Sequence, residues 1–247
     1  MRETIIAGNW KMYKTVPEAR AFLDELLPLV KGTQRTVVLA VPYTAIAPCA
    51  ELAKGSGVAI GAQNMNDASE GAFTGEIAAR MLVDAGATFV VLGHSERRHI
   101  FGESSAFVNK KVKQALKEGL RPIVCVGETL EERQGGRTEA VLERELLKSL
   151  AGVTKKQLAK VIVAYEPVWA IGTGHTATPE MAEQVHTFLR KVLDEKWSDS
   201  SGSVPILYGG SVKPDNAHQL LAAEDVDGLL VGGASLTAES FYQICKG

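Results

Sequence analysis

Eight short apolar runs recur along the chain, at residues 4–8, 36–41, 58–61, 88–92, 122–126, 161–164, 205–208 and 228–231. They are continuous and rich in Val, Ile and Leu rather than alternating with polar residues, which is the pattern of strands buried on both faces of a parallel sheet. Amphipathic stretches lie between them. In one, Thr178 can cap, Pro179 can take the first helical position, and Val185, Phe188, Leu189, Val192 and Leu193 share a face. In another, Val108, Val112, Ala115 and Leu116 form a stripe that stops at Gly119, just before the run from Pro122. Eight strand–helix units in 247 residues, with no Pro/Gly/Ser-rich linker, match an α/β fold of the (β/α)8 barrel type, as one domain over residues 1–247. An open, doubly wound sheet is the alternative, because periodicity does not separate an open parallel sheet from a closed one.

Charge narrows the function classes. The 27 basic and 29 acidic residues leave a formal charge of −2, so no global field draws the chain to nucleic acid or to a membrane surface. Any anion must be bound locally. Cys49, Cys125 and Cys245 are too few and too far apart for a disulfide frame and read as reduced thiols. With no signal-like leader and no apolar run of membrane-spanning length, the expectation is a soluble, cytoplasmic protein.

In a barrel the reactive groups sit at the carboxyl ends of the strands, so the residues that follow each run carry the functional signal. The first run ends in Asn9-Trp10-Lys11, the fourth in His94-Ser95-Glu96, the sixth in Glu166, the seventh in Gly209-Gly210-Ser211 and the eighth in Gly232-Gly233. Pro167 biases Glu166 toward an extended backbone, which aims its carboxylate out of the strand end. His94 precedes a helix start at Ser95-Glu96-Arg97-Arg98, whose amide dipoles disfavour an imidazolium; a neutral, hydrogen-bond-donating imidazole is expected. The two glycine turns let backbone amides approach an anion, and the loops after strands seven and eight are the usual phosphate site of barrels. Taken singly, each of these features also fits a surface glutamate, a core histidine or a tight turn.

One motif competes. Gly172-Thr173-Gly174-His175-Thr176-Ala177 formally fits the dinucleotide fingerprint, but Pro167 to Ile171 intervene between it and the strand, where that fingerprint needs its glycines at once. Residues 168–177 read instead as a long loop, and long structured loops in compact domains are often lids. The five histidines form no closely spaced ligand pair, so no metal and no cofactor are expected.

Several longer stretches together resemble the triosephosphate isomerase family. They are Asn9-Trp10-Lys11-Met12, Gly61-Ala62-Gln63-Asn64-Met65, Gly71-Ala72-Phe73-Thr74-Gly75-Glu76, Gly93-His94-Ser95-Glu96-Arg97-Arg98, the segment from Ala164 through Glu166 to Gly174, Tyr208-Gly209-Gly210-Ser211-Val212 and Val231-Gly232-Gly233-Ala234. The likeness runs from strand one to strand eight. It implies interconversion of dihydroxyacetone phosphate and D-glyceraldehyde 3-phosphate through an enediolate, within glycolysis and gluconeogenesis. Glu166 would be the general base, His94 the neutral electrophile, Lys11 the cation beside the substrate oxygens and Asn9 a further contact, with Glu96 orienting Lys11. That division of labour is the known one for this family. The amides of Gly172, Ser211, Gly232 and Gly233 would hold the phosphate, and residues 168–177 would close over it. The family commonly has lysine where this chain has His175, which bears on loop kinetics. Phe73 and Thr74 would lie in a loop that projects into the partner of a homodimer. Two other readings compete: a barrel lyase with Lys11 as Schiff-base amine, and a non-catalytic scaffold.

Overall fold

The computed structural model describes residues 2–171, 177–198 and 201–247. Its eight strands are β1 (Ile5–Asn9), β2 (Thr36–Val41), β3 (Val58–Ala62), β4 (Phe89–Leu92), β5 (Arg121–Val126), β6 (Ile162–Tyr165), β7 (Ile206–Tyr208) and β8 (Gly228–Val231). Each pairs in parallel with its neighbours in chain order, and β8 pairs with β1, from Ile5 opposite Gly228 to Gly8 opposite Val231. The sheet is therefore a closed (β/α)8 barrel, and the open-sheet alternative is excluded.

Two residue sets alternate along the strands, as a period of two requires. Ile5, Ala7, Val38, Ala40, Val91, Ile123, Ile162, Ala164, Leu207 and Leu230 cluster only with other strand residues and fill the barrel. Ile6, Val37, Leu39, Val90, Val124, Val163, Ile206 and Leu229 pack with helix residues on the outside. Because both faces are covered, the strands are apolar throughout except at the terminal positions Asn9, Thr36 and Arg121, which is why the runs were continuous. At Gly228 a side chain would overlap the carbonyl of Ile5, so the ladder that closes the barrel needs glycine there.

The outer helices are α1 (Val16–Leu29), α2 (Ile46–Ala53), α3 (Ala79–Asp84), α4 (Ser95–His99), α5 (Ser105–Lys117), α6 (Leu130–Gln134), α7 (Thr138–Ser149), α8 (Lys155–Leu158), α9 (Pro179–Trp197), α10 (Pro214–Leu221) and α11 (Ala238–Lys246). Helix α9 starts as its sequence implies. The Thr178 side chain accepts from the Met181 amide, Pro179 follows, and Val185, Leu189, Val192 and Leu193 are buried. Helix α5 ends at Lys117, with Gly119 in the left-handed region at φ 87°. No described helix is long and apolar enough to cross a membrane. Cys49, Cys125 and Cys245 are all buried free thiols.

Helix α9 also buries His186 completely. Its Nδ1 lies 3.1 Å from the carbonyl oxygen of Asp225, while Nε2 has no hydrogen-bond partner among the described residues. Burial, aided by the Arg190 guanidinium, pulls its pKa down to about 4, from an ordinary value near 6.5. The unfolded chain thus takes up a proton below about pH 6.5 that the folded chain refuses until about pH 4, so stability falls with pH across that window, by about 3 kcal/mol in all. His186→Gln removes this term. Its melting temperature should decline less than the parent's between pH 7 and pH 4, and equal slopes would show that His186 is not the group responsible.

Candidate active site

The carboxyl ends of the strands gather Asn9, Lys11, His94, Glu166, Ser211, Gly232 and Gly233 around one cavity of about 440 Å³. Glu166 directly follows β6 and is 2% exposed. Its amide donates to the Val126 carbonyl at 2.8 Å, and a side chain at Gly127 would overlap its own carbonyl, so the backbone that carries the carboxylate is pinned. Gly209 leaves room for the side chain, since a Cβ there would meet the Glu166 Cγ at 3.0 Å. The carboxylate rests on two partners: Oε2 accepts from the Ser95 amide at 2.8 Å, and Oε1 lies 2.9 Å from His94 Nε2.

His94 caps α4, where its Nδ1 accepts from the Glu96 amide at 3.3 Å. A nitrogen that accepts carries no proton, so the proton of this imidazole sits on Nε2, facing the cavity. Burial, the largest influence, lowers the His94 pKa, and the Glu166 carboxylate beside it raises it above the ordinary value in this resting arrangement. The neutral state expected from the helix start is therefore opposed by Glu166 while the two stay paired. The Glu96 carboxylate acts in the same direction as Glu166, and Lys11 acts against both. For Glu166 itself, burial raises the pKa, but His94, the Ser95 amide and Lys11 together bring it below the usual carboxylate value.

Lys11 stands at a left-handed backbone position, φ 51°. Its amide donates to Asn9 Oδ1 at 3.0 Å and its Nζ forms an ion pair with Glu96 Oε1 at 2.6 Å. Gln63, at the end of β3, fastens this turn: its Nε2 donates to the Lys11 carbonyl at 2.8 Å and to the Ala40 carbonyl at 3.1 Å. Gly232 introduces a 3-10 turn at Gly233–Ser235. The first amides of such a turn have no partner within it, and a side chain at Gly233 would meet no protein atom within 4 Å. The space that glycine leaves is cavity.

The sequence model of the triosephosphate isomerase family matches residues 4–247. The chain belongs to the triosephosphate isomerase family. It is 54% identical to the triosephosphate isomerase of Protochlamydia amoebophila over 98% of this chain and 92% of that one. It is also 53% identical to that of Carboxydothermus hydrogenoformans, over 100% and 99% of the two chains, and 52% identical to that of Citrifermentans bemidjiense, over 100% and 99%. As a member of the triosephosphate isomerase family, the protein is an aldose–ketose isomerase.

Other sequence expectations for a triosephosphate isomerase concern residues that the structure does not describe or that do not line this cavity. Gly172 and His175 lie outside the described residues, as do the other residues of 172–176. Phe73 and Thr74 are exposed and do not line the cavity. Three contributors went unnoticed in the sequence. Gln63 and Ser95 hold Lys11 and Glu166 as described. Glu128, fully buried, accepts through Oε1 from Tyr165, Trp169 and Arg133 at 3.0–3.1 Å, and its carbonyl accepts from Val168 at 3.1 Å. It anchors the 3-10 turn Val168–Ala170 at the start of the segment read as a lid. Cys125 is buried beside the Glu166 carboxylate, and burial together with that charge pushes its thiol pKa up. Among the described residues no three of His, Cys, Asp and Glu gather where they could hold a metal ion.

Proposed function

We propose that the protein interconverts dihydroxyacetone phosphate and D-glyceraldehyde 3-phosphate in the cytoplasm, as a step of glycolysis and gluconeogenesis, with residues 1–247 acting as one catalytic domain. The observation that supports this best is the convergence of Glu166, His94 Nε2 and Lys11 on one cavity whose far wall is built from glycine turns. Removing a proton from carbon beside a carbonyl needs a base, a partner for the developing oxyanion and a means of returning the proton to the adjacent carbon. Glu166 takes the proton and returns it. His94 donates Nε2–H to one substrate oxygen and then the other, while the Lys11 ammonium offsets the negative charge, with Asn9 as a further contact and Glu96 keeping Lys11 in place. The amides of Gly172, Ser211, Gly232 and Gly233 bind the phosphate. No cofactor enters this scheme. A coupled isomerisation assay on the purified protein tests it, and absence of activity would leave the scaffold reading. Borohydride treatment with substrate should trap no adduct, because the Lys11 ammonium is engaged by Glu96 rather than free to attack a carbonyl.

The working unit is a homodimer in this reading. Met12 is 95% exposed and Phe101 66%, with Tyr13, Phe73 and Ile100 exposed as well, all on loops at the catalytic end. A groove of about 280 Å³ lined by Met12, Tyr43, Gln63, Asn64, Arg97 and Phe101 shares Asn9 and Lys11 with the catalytic cavity. It receives the partner's projecting loop around Phe73 and Thr74. Sedimentation at assay concentration should give twice the 26.4 kDa chain mass. A fully active monomer would defeat the proposal.

A further inference from the structure

Lys14 has no part in the scheme above, yet it stands where the loop after β1 meets the turn after β8. Its backbone is left-handed, φ 75°, the second such residue in this loop after Lys11. A non-glycine residue holds that conformation only where its surroundings over-determine it. At Lys14 those surroundings are specific. Its Nζ donates to the Leu236 carbonyl at 2.8 Å and sits 4.8 Å from the Phe22 ring centre and 5.3 Å from that of Trp10. The two rings pack edge to face at 4.9 Å and form a fixed seat for the ammonium. Leu236 is the residue that ends the Gly233–Ser235 turn, and its own amide donates to the Gly233 carbonyl at 3.1 Å. One residue is therefore held by the turn through its N–H and by Lys14 through its C=O. Lys11 touches the same turn from the other end, where a Cβ on Gly232 would lie 3.4 Å from its Cε.

We propose that Lys14 is a positioning residue for the substrate phosphate, clamping the loop after β1 to the turn after β8 so that the Gly232 and Gly233 amides stand at a fixed distance from Lys11. The inference rests on the phosphate role proposed for that turn. Without the clamp the two halves of the site, cation and anion cradle, lose the hydrogen bond that ties the loop after β1 to the turn after β8. Binding then suffers more than chemistry, because Glu166 and His94 are carried by other strands.

The test measures inhibition of the isomerase by inorganic phosphate, with KM and kcat, in the parent and in Lys14→Met, Lys14→Gly, Lys14→Arg and Gly233→Ala. Lys14→Met should raise both the phosphate inhibition constant and KM by about three- to tenfold, the weight of one hydrogen bond, with a smaller change in kcat. Lys14→Gly relieves the left-handed strain and should weaken phosphate to the same degree without loss of melting temperature, which separates positioning from folding. Lys14→Arg, able to donate to the same carbonyl and to lie over the same rings, should recover most of the affinity. Unchanged phosphate inhibition in Lys14→Met and Lys14→Gly, alongside a loss in Gly233→Ala, would reject the role of Lys14 alone. Unchanged inhibition in Gly233→Ala would reject the phosphate turn and this inference with it.

Discussion

Glu166→Asp is expected to lower kcat by about a hundredfold or more while KM stays within a few-fold of the parent, since misplacing a reacting group by about 1 Å costs roughly that much. The backbone cannot follow the shortened side chain. The Glu166 amide is bonded to Val126 and its carbonyl is wedged against Gly127, so the missing methylene translates directly into distance from the substrate carbon. The resting contacts add to the argument. In the proposed reaction Glu166 leaves the Ser95 amide and His94 to reach the substrate, and those two partners are among the influences that hold its pKa down. On release, burial is left to act with less opposition, and the carboxylate becomes a stronger base at the point where it takes the proton. Steady-state kinetics in both directions measure the effect. A kcat within about twofold of the parent would remove Glu166 from the role of base, whatever its position.

Deleting residues 171–173 should depress isomerisation by orders of magnitude and turn part of the remaining turnover into methylglyoxal and inorganic phosphate. An enediolate with a phosphate on the neighbouring carbon can expel that phosphate, so an enzyme that holds the intermediate must exclude water and keep the phosphate clamped. The segment is anchored for such a duty on both sides. Glu128 takes hydrogen bonds from Val168 and Trp169 before it, and Thr178 caps α9 after it, while Ile171 already lines the cavity. The deletion removes Gly172, one of the proposed phosphate contacts, and leaves Glu166 in place. Proton abstraction should therefore persist while the intermediate loses its protection. The readout is phosphate released per isomer formed from dihydroxyacetone phosphate. An unchanged ratio with normal isomerisation would make the segment an ordinary surface loop.

The barrel was legible because each strand is apolar on both faces, so the sequence carries eight unbroken runs that need no knowledge of their neighbours. Strand ends were less sharp. The β5 ladder begins at Arg121 rather than Pro122, since the Arg121 amide bonds to the Thr88 carbonyl regardless of its polar side chain. The site was legible because its charged groups follow the first, fourth and sixth runs and its glycine turns the seventh and eighth. Gln63 and Glu128 also follow runs, the third and the fifth, but an amide after one strand and a carboxylate after another say nothing of what they will touch. Most of their partners lie on or just after neighbouring strands, and only the pairing of those strands brings them near. Ser95 was hidden for a different reason: it acts through its backbone amide, which every residue but proline possesses.

Closure has a consequence for how the chain is made. The ladder between β1 and β8 cannot form until residues 228–231 have left the ribosome, after the seven other strands. Up to that moment the nascent sheet carries two unpaired edges, β1 on one side and the newest strand on the other, each a template for pairing with a neighbouring chain on the same messenger RNA. The arrival of β8 therefore ends the period of exposure, and a truncated product that lacks β8 would leave the ribosome with both edges permanently open.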